Sequence, residues 1–335
     1  MDDHGTTVGT LLPGGSAPGH REAMPPSPFH LGERMAQARA GLRSLPSGAA
    51  IRDAMPDQHR VFFARLPFLP VATHAGAEGM PVATILTGAP GFVTSPDPRT
   101  LHIAARPDPA DPASRWLVPG APVGILGIDL ATRRRNRANG RIRDMDATGL
   151  TVAIEQSFGN CPQYIQARDL LPPGATQAIS GETELLHGLD AARAAVARAD
   201  TFFVASGVGG SMDLSHRGGW PGFVRVRGEV LEIPDFRGNG YFNTLGNLLL
   251  DPRAALLFPD FATGDLLHLA GRAEVDWDAA DAVRGAERVW RLHVEQGWRR
   301  PAALPWRWAF RDWAPTTMQT GIWDEDEGGD ARRHG

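Results

Sequence analysis

The same short segments recur along the 335-residue chain at a near-constant spacing, which restricts it to folds that can be built from one unit used twice. Pro90-Gly91-Phe92-Val93 returns as Pro221-Gly222-Phe223-Val224, Asp129-Leu130-Ala131-Thr132 as Asp260-Phe261-Ala262-Thr263, and Gly140-Arg141 as Gly271-Arg272, each pair 131 positions apart. Upstream, Arg60 to Arg65 aligns with Arg193 to Arg198, and Val71-Ala72-Thr73 with Val204-Ala205-Ser206, at a spacing of 133. Two residues gained or lost in a connecting loop explain the drift. Two modules of ~130 residues plus tails are expected, each large enough to bury a core.

Composition places the boundaries. Residues 1–28, rich in Gly, Pro, Ser and Thr, are read as a flexible tail, and 29–171 as the first module, opening with helix-forming stretches from Phe29 to Gly41 and Ile51 to Leu66. Strands are expected from Phe68 to Thr73, Val82 to Leu86, Thr100 to Ala104, Val123 to Leu130, Arg137 to Arg143 and Leu150 to Glu155. The Pro- and Gly-rich stretch 172–184 reads as a linker, 185–322 as the second module and 323–335 as a frayed tail. In the second module, Asp190 to Ala199 reads as a helix, as do Phe242 to Leu250 and Ala279 to Gln296. Thr201 to Ser206, Phe223 to Ile233, Ala254 to Phe258 and Leu266 to Val275 read as strands, and Trp298 to Trp313 as a segment folding back over a barrel. The fold class is therefore mainly β with flanking helices (α+β), a barrel or sandwich made twice.

Several function classes are excluded. A net charge of −4 argues against a general nucleic-acid binder. No apolar stretch approaches the ~20 residues of a membrane helix, and Asp2 and Asp3 stand where a secretory signal is basic, so a cytoplasmic protein is expected. A single cysteine, Cys161, forms no internal disulfide and anchors no iron–sulfur cluster. All 34 basic residues are arginine, so there is no lysine for a Schiff base or a Walker-type phosphate loop. No metal-ligand spacing appears, Gly207-Val208-Gly209-Gly210 lacks the helix of a dinucleotide fingerprint, and adjacent Ser215 and His216 point apart on a strand.

Three constellations remain. Ser215-His216-Arg217-Gly218-Gly219 combines donors, a guanidinium and glycines that let a backbone approach an oxyanion; the alternative is a hairpin turn with a solvated arginine. The equivalent Thr84-Ile85-Leu86-Thr87-Gly88 has no arginine, which favours a ligand in the second copy alone. Asp235-Phe236-Arg237-Gly238-Asn239-Gly240, followed by Asn243-Thr244-Leu245-Gly246-Asn247, opens a helix whose free N–H groups suit an anion, although Asn and Thr also cap helices for structural reasons. Its counterpart, Ala104-Ala105-Arg106-Pro107-Asp108, runs into a Pro-rich loop. In the first half, Arg133-Arg134-Arg135-Asn136-Arg137 is expected to be a solvated charged face, with at most part of the run aimed at a ligand. Gln156 to Tyr164, containing Asn160-Cys161-Pro162-Gln163, suits a planar heterocycle with edge donors and acceptors; nothing local activates Cys161 as a nucleophile.

With Met55 to His59, Ser157 to Ile165, Ser215 to Val224, Pro234 to Asn239 and Thr244 to Asn247, the chain resembles the pyridoxamine 5′-phosphate oxidase-related, FMN-binding split-barrel family, and most closely its flavin-nucleotide-binding branch. The likeness spans Phe29 to Thr316. It implies tandem FMN-binding split β-barrels forming a pseudo-dimer, alone or as a homodimer, with one main flavin site between the barrels. Ser215, His216, Arg217 and Gly218, with Arg237, Gly238, Asn239, Thr244 and Asn247, would hold the FMN phosphate and ribityl chain, and Asn160, Cys161 and Gln163 would approach from the other barrel. The expected activity is an FMN-dependent oxidoreductase fed by a separate reductase or electron donor. A flavin carrier without turnover and a haem-binding relative are the alternatives.

Overall fold

The repeated segments make the same turns in both halves of the computed structural model, which describes residues 1, 27–44, 46–76, 79–172, 181–280 and 282–324. Phe92 N–H donates to Ala89 O and Phe223 N–H to Trp220 O, both at 2.9 Å, across Gly91 (φ 99°) and Gly222 (φ 89°), conformations that a side chain disfavours. Asp129 Oδ1 accepts the N–H of Ala131, as Asp260 Oδ1 accepts that of Ala262. The expected tails and linker fall largely outside the described residues.

The first half contains α1 (Leu31–Arg39), α2 (Asp57–Phe63), β1 (Phe68–His74), β2 (Pro81–Thr87), β3 (Val93–Thr94), β4 (Thr100–Ile103), β5 (Pro122–Asp129), β6 (Arg134–Met145), β7 (Leu150–Asn160) and β8 (Ala167–Leu170). The second contains β9 (Glu184–Leu185), α3 (Asp190–Arg198), β10 (Thr201–Ser206), β11 (Asp213–Gly218), β12 (Arg225–Arg227), β13 (Val230–Phe236), α4 (Asn243–Leu250), β14 (Arg253–Pro259), β15 (Leu266–Asp276), β16 (Ala286–Arg300) and β17 (Trp308–Asp312). The protein is mainly β. One sheet runs β2-β1-β5-β6-β7-β4-β3 and the other β11-β10-β14-β15-β16-β13-β12, the same order of equivalent strands. Val71 pairs with Thr84 and Val204 with Ser215, so the second hairpin is two residues shorter, which accounts for the drift in spacing. Both long hairpins slip register at the repeated glycine, Gly140 and Gly271, where a Cβ would strike the carbonyl of Ala153 or His293 on the partner strand.

Alternation along each strand fills three apolar cores. Leu69 and Val71 of β1 face the first half's own core, Phe202 and Val204 of β10 that of the second, while Phe68, Ala72, Phe203 and Ala205 on the opposite faces meet in a third core between the sheets. β17 crosses back to pair with β8, joining the chain's end to the first half.

Two expectations are corrected. Ala279 to Gln296 is not a helix: after Gly285 (φ 84°) the chain becomes β16, whose ladder with β15 satisfies its backbone and whose Trp290 and Leu292 enter the core. Helix-favouring Ala, Glu and Arg were overridden by that pairing. Phe223 to Ile233 is not one strand, because Gly228 (φ 56°) turns the chain between β12 and β13.

Candidate functional site

Where β6 of the first sheet passes β11 of the second, the arginine run separates by strand alternation. Arg134 points outward over Phe62, 5.3 Å from the ring, and Arg133 leaves through a left-handed residue (φ 57°) to donate its Nε to Ile165 O. Arg135 and Arg137 turn inward, so for them the solvated-face expectation is overturned. The Arg137 guanidinium donates to Asp213 Oδ1 (3.2 Å) and Ser215 Oγ (2.6 Å), and lies 5.3 Å from the Phe158 ring centre. Asn139, two positions on, donates to the same Asp213 oxygen at 2.7 Å. Arg135 donates to His216 Nδ1 at 2.8 Å.

The second half supplies the opposite wall. Asp235 at the end of β13 accepts Arg217 on one oxygen and Arg288 of β16 (2.6 Å) on the other. Arg237 to Gly240 then forms a loop, held by Tyr164 Oη donating to Arg237 O (3.0 Å), and leads into Phe242 at φ 61°. Phe242 stands at the N-cap of α4 and offers no side-chain oxygen, so the first N–H groups of the helix are left uncapped beside Thr244, whose hydroxyl donates to Ser215 Oγ (2.8 Å). Helix α1 braces this start. A Cβ on Gly32 would clash with Gly246 O, Glu33 accepts from Asn243 Nδ2, and Gln37 Nε2 donates to Gly240 O (3.3 Å).

Together these walls enclose a cavity of about 440 Å³. Ser215, His216, Arg217, Gly218, Arg237, Gly238, Asn239 and Thr244 line it, and Asn160 and Gln163 join them from the first half. Two expected residues stand apart from it. Asn247, 1% exposed, lies beneath and donates to Ser206 Oγ and Asp213 Oδ2, and Cys161 is half-buried beside the Arg135 guanidinium. Asn239 spends its Oδ1 on Tyr241 N–H, shaping the loop. Sequence reasoning missed Asp213 and Arg288, the latter inside the stretch read as helix. It held Arg135 and Arg137 only within a run expected to be solvated, which the alternation from Arg135 to Asn139 could have divided, and Tyr164 only as the end of the Gln156 to Tyr164 segment.

The electrostatics are those of an incomplete site. Burial lowers the Arg135 pKa to about 10 and lowers that of Arg137 as well. Asp213 balances Arg137, but among the described residues no carboxylate pairs with Arg135. The Nε atoms of Arg135, Arg137 and Arg217 and the Nδ2 of Asn160 are buried without a hydrogen-bond partner, a concentration of orphan donors that folded proteins rarely leave unmet. Burial, then Arg135 and Arg217, push the His216 pKa well below its ordinary value. The ring is therefore neutral, and because Nδ1 accepts from an arginine, the proton sits on Nε2, a further unpartnered donor. Burial, reinforced by Asp213, raises Glu33 to about 7.

No protein-family model and no curated protein matches the chain. Solved structures similar to part of it include an FAD-binding protein from Mesorhizobium loti (14% identity, TM-score 0.27, 36% of this chain and 98% of that one). A protein provisionally assigned as pyridoxamine 5′-phosphate oxidase from Listeria innocua is 15% identical, with a TM-score of 0.26, over 34% of this chain and 98% of that one. A histidine-to-alanine variant of HupZ from Group A Streptococcus is 12% identical, with a TM-score of 0.28, over 33% of this chain and 97% of that one. Among the described residues no helix is long and apolar enough to cross a membrane, and no group of three or more His, Cys, Asp or Glu could hold a metal ion.

Proposed function

We propose that this cavity binds FMN and that the protein is a flavin-dependent oxidoreductase in which two split barrels act as an internal dimer around one main site. The observation that carries the reading is Arg135, a half-buried guanidinium with a buried, unpartnered Nε and no carboxylate, at the head of several orphan donors lining the same cavity as the uncapped start of α4. Leaving a cation so placed is costly unless an anion completes it, and a phosphate monoester offers two charges and three acceptor oxygens. Ser215 and the first N–H groups of α4, that of Thr244 among them, would add donors to that phosphate. Asn160 and Gln163 present amide groups suited to a heterocycle edge, while Tyr164 and Phe236, with ring centres 5.5 Å apart, give the cavity an aromatic wall. Bound flavin would supply the electron transfer itself; the protein's part is to orient it and shield it from water. A separate reductase or a nicotinamide nucleotide is the expected electron source.

A haem reading finds less support, since His216, the histidine lining the cavity, presents N–H rather than a lone pair at its free nitrogen. Purified protein, with and without added FMN, should show a visible flavin spectrum and release FMN on denaturation. Colourless protein that takes up no FMN refutes the reading. Reduction by NADH or NADPH with turnover of an acceptor distinguishes an enzyme from a flavin carrier.

A further inference from the structure

The two sheets place a second set of residues where symmetry would repeat the cavity, and that set is already satisfied. Strand register equates Thr84 with Ser215 and His268 with Arg137, and the pairings Arg135↔Asn160 and Leu266↔Arg300 equate Arg300 with Asn160. Ile85, Leu86 and Leu266 stand where the first site has His216, Arg217 and Arg135, and are packed into cores. A short turn of helix, Ser114–Trp116, follows β4 where α4 follows β13. At its approach sits Asp111, 1% exposed.

The Asp111 carboxylate accepts from Thr84 Oγ1 at 2.5 Å, from Arg300 at 3.1 Å and from Ala113 N–H at 3.0 Å, with His268 Nε2 at 3.9 Å. Trp298 stacks on His268 at 4.6 Å and 15°, as Phe158 covers Arg137 across the molecule. Arg300 is further tied to Asp108. Hydroxyl, guanidinium and backbone donor thus converge on the Asp111 carboxylate. At the first cavity Asp213 meets Arg137, but among the described residues no carboxylate meets Arg135, and no side chain caps the first N–H groups of α4.

We infer that Asp111 is a built-in anion occupying the symmetry-related place, so that the chain takes up one phosphate-bearing ligand and has no second site for it. The count of ligands rests on the FMN reading; the self-occupied place does not. Titration of the ligand-free full chain with FMN should therefore saturate at one per chain. Saturation at two overturns the inference. No uptake at all overturns the FMN reading instead, and a second arm then tests Asp111 directly.

Asp111→Gly removes the carboxylate and leaves Arg300 and Thr84 in place. Formate, small enough to replace it, should raise the melting temperature of Asp111→Gly clearly more than chloride at equal ionic strength, and raise that of the unaltered protein much less. Equal responses of the two proteins overturn the inference. Should the variant not accumulate in folded form, refolding with formate or chloride reads the same point: recovery with formate alone supports it, and no difference overturns it.

Discussion

Replacing Arg135 and Arg137 separately by methionine should split stability from ligand binding, because the two guanidiniums differ in what they leave behind. Arg137→Met strands Asp213, a carboxylate 12% exposed at its side chain that keeps only the neutral donors Asn139 and Asn247. Breaking a buried pair in this way costs about 3–5 kcal/mol. Arg135→Met strands no carboxylate among the described residues. It removes a half-buried cation that no carboxylate balances, and with it the cost of holding that charge away from water. Against this, His216 Nδ1 loses its donor, at about 1–3 kcal/mol. The ligand-free Arg135→Met protein should therefore be nearly as stable as the unaltered one, or more so, and Arg137→Met clearly less stable, as read from urea midpoints. Both should bind FMN at least about tenfold more weakly, since each loses a charge-assisted donor worth about 1.5–3 kcal/mol. If Arg135→Met destabilises as much as Arg137→Met, Arg135 has a counter-charge within the protein, and the case for an anionic ligand fails.

Glu33 gives a pH test. Folded it titrates at about 7 against an ordinary 4.5, so between those values the folded chain keeps a proton the unfolded chain has lost, and stability falls as pH rises through that window. His216 acts oppositely, adding stability as pH rises toward its ordinary 6.5; Glu33→Gln should remove the first slope and keep the second, and unchanged midpoint-against-pH curves would refute the assignment. Gly32→Ala should push α1 from α4 at about 1–3 kcal/mol and weaken FMN binding by displacing the helix start, measured by urea unfolding and fluorescence titration. Arg237→Ala should weaken FMN binding while Arg106→Ala, its counterpart in the first half, leaves it unchanged; equal losses would indicate two sites.

The duplication made most of the fold readable, since each copy checks the other. Short, largely apolar runs buried on both faces, such as β1 and β10, were visible directly, and the turn glycines explained themselves through their conformations. β16 was not readable from its own residues, because Ala, Glu and Arg favour a helix when nothing else is known. Its counterpart β7, paired with β6 through the same bulge, carried the correct answer. At the site, the glycines and donors of the second half were legible by type. The inward arginines were not, because a charged run is ordinarily solvated, and only the arrival of a second sheet over β6 buries Arg137 and half-buries Arg135.

The third core, shared between the sheets, has a consequence in mass action. A cavity whose walls come from separate subunits disassembles on dilution, since its completeness depends on a dissociation constant between them. Here both walls belong to one chain and are clamped by strands buried on both faces, so they meet at an effective concentration that dilution cannot change. Occupancy of the cavity should then follow the concentration of ligand alone, down to the lowest levels at which the protein is present.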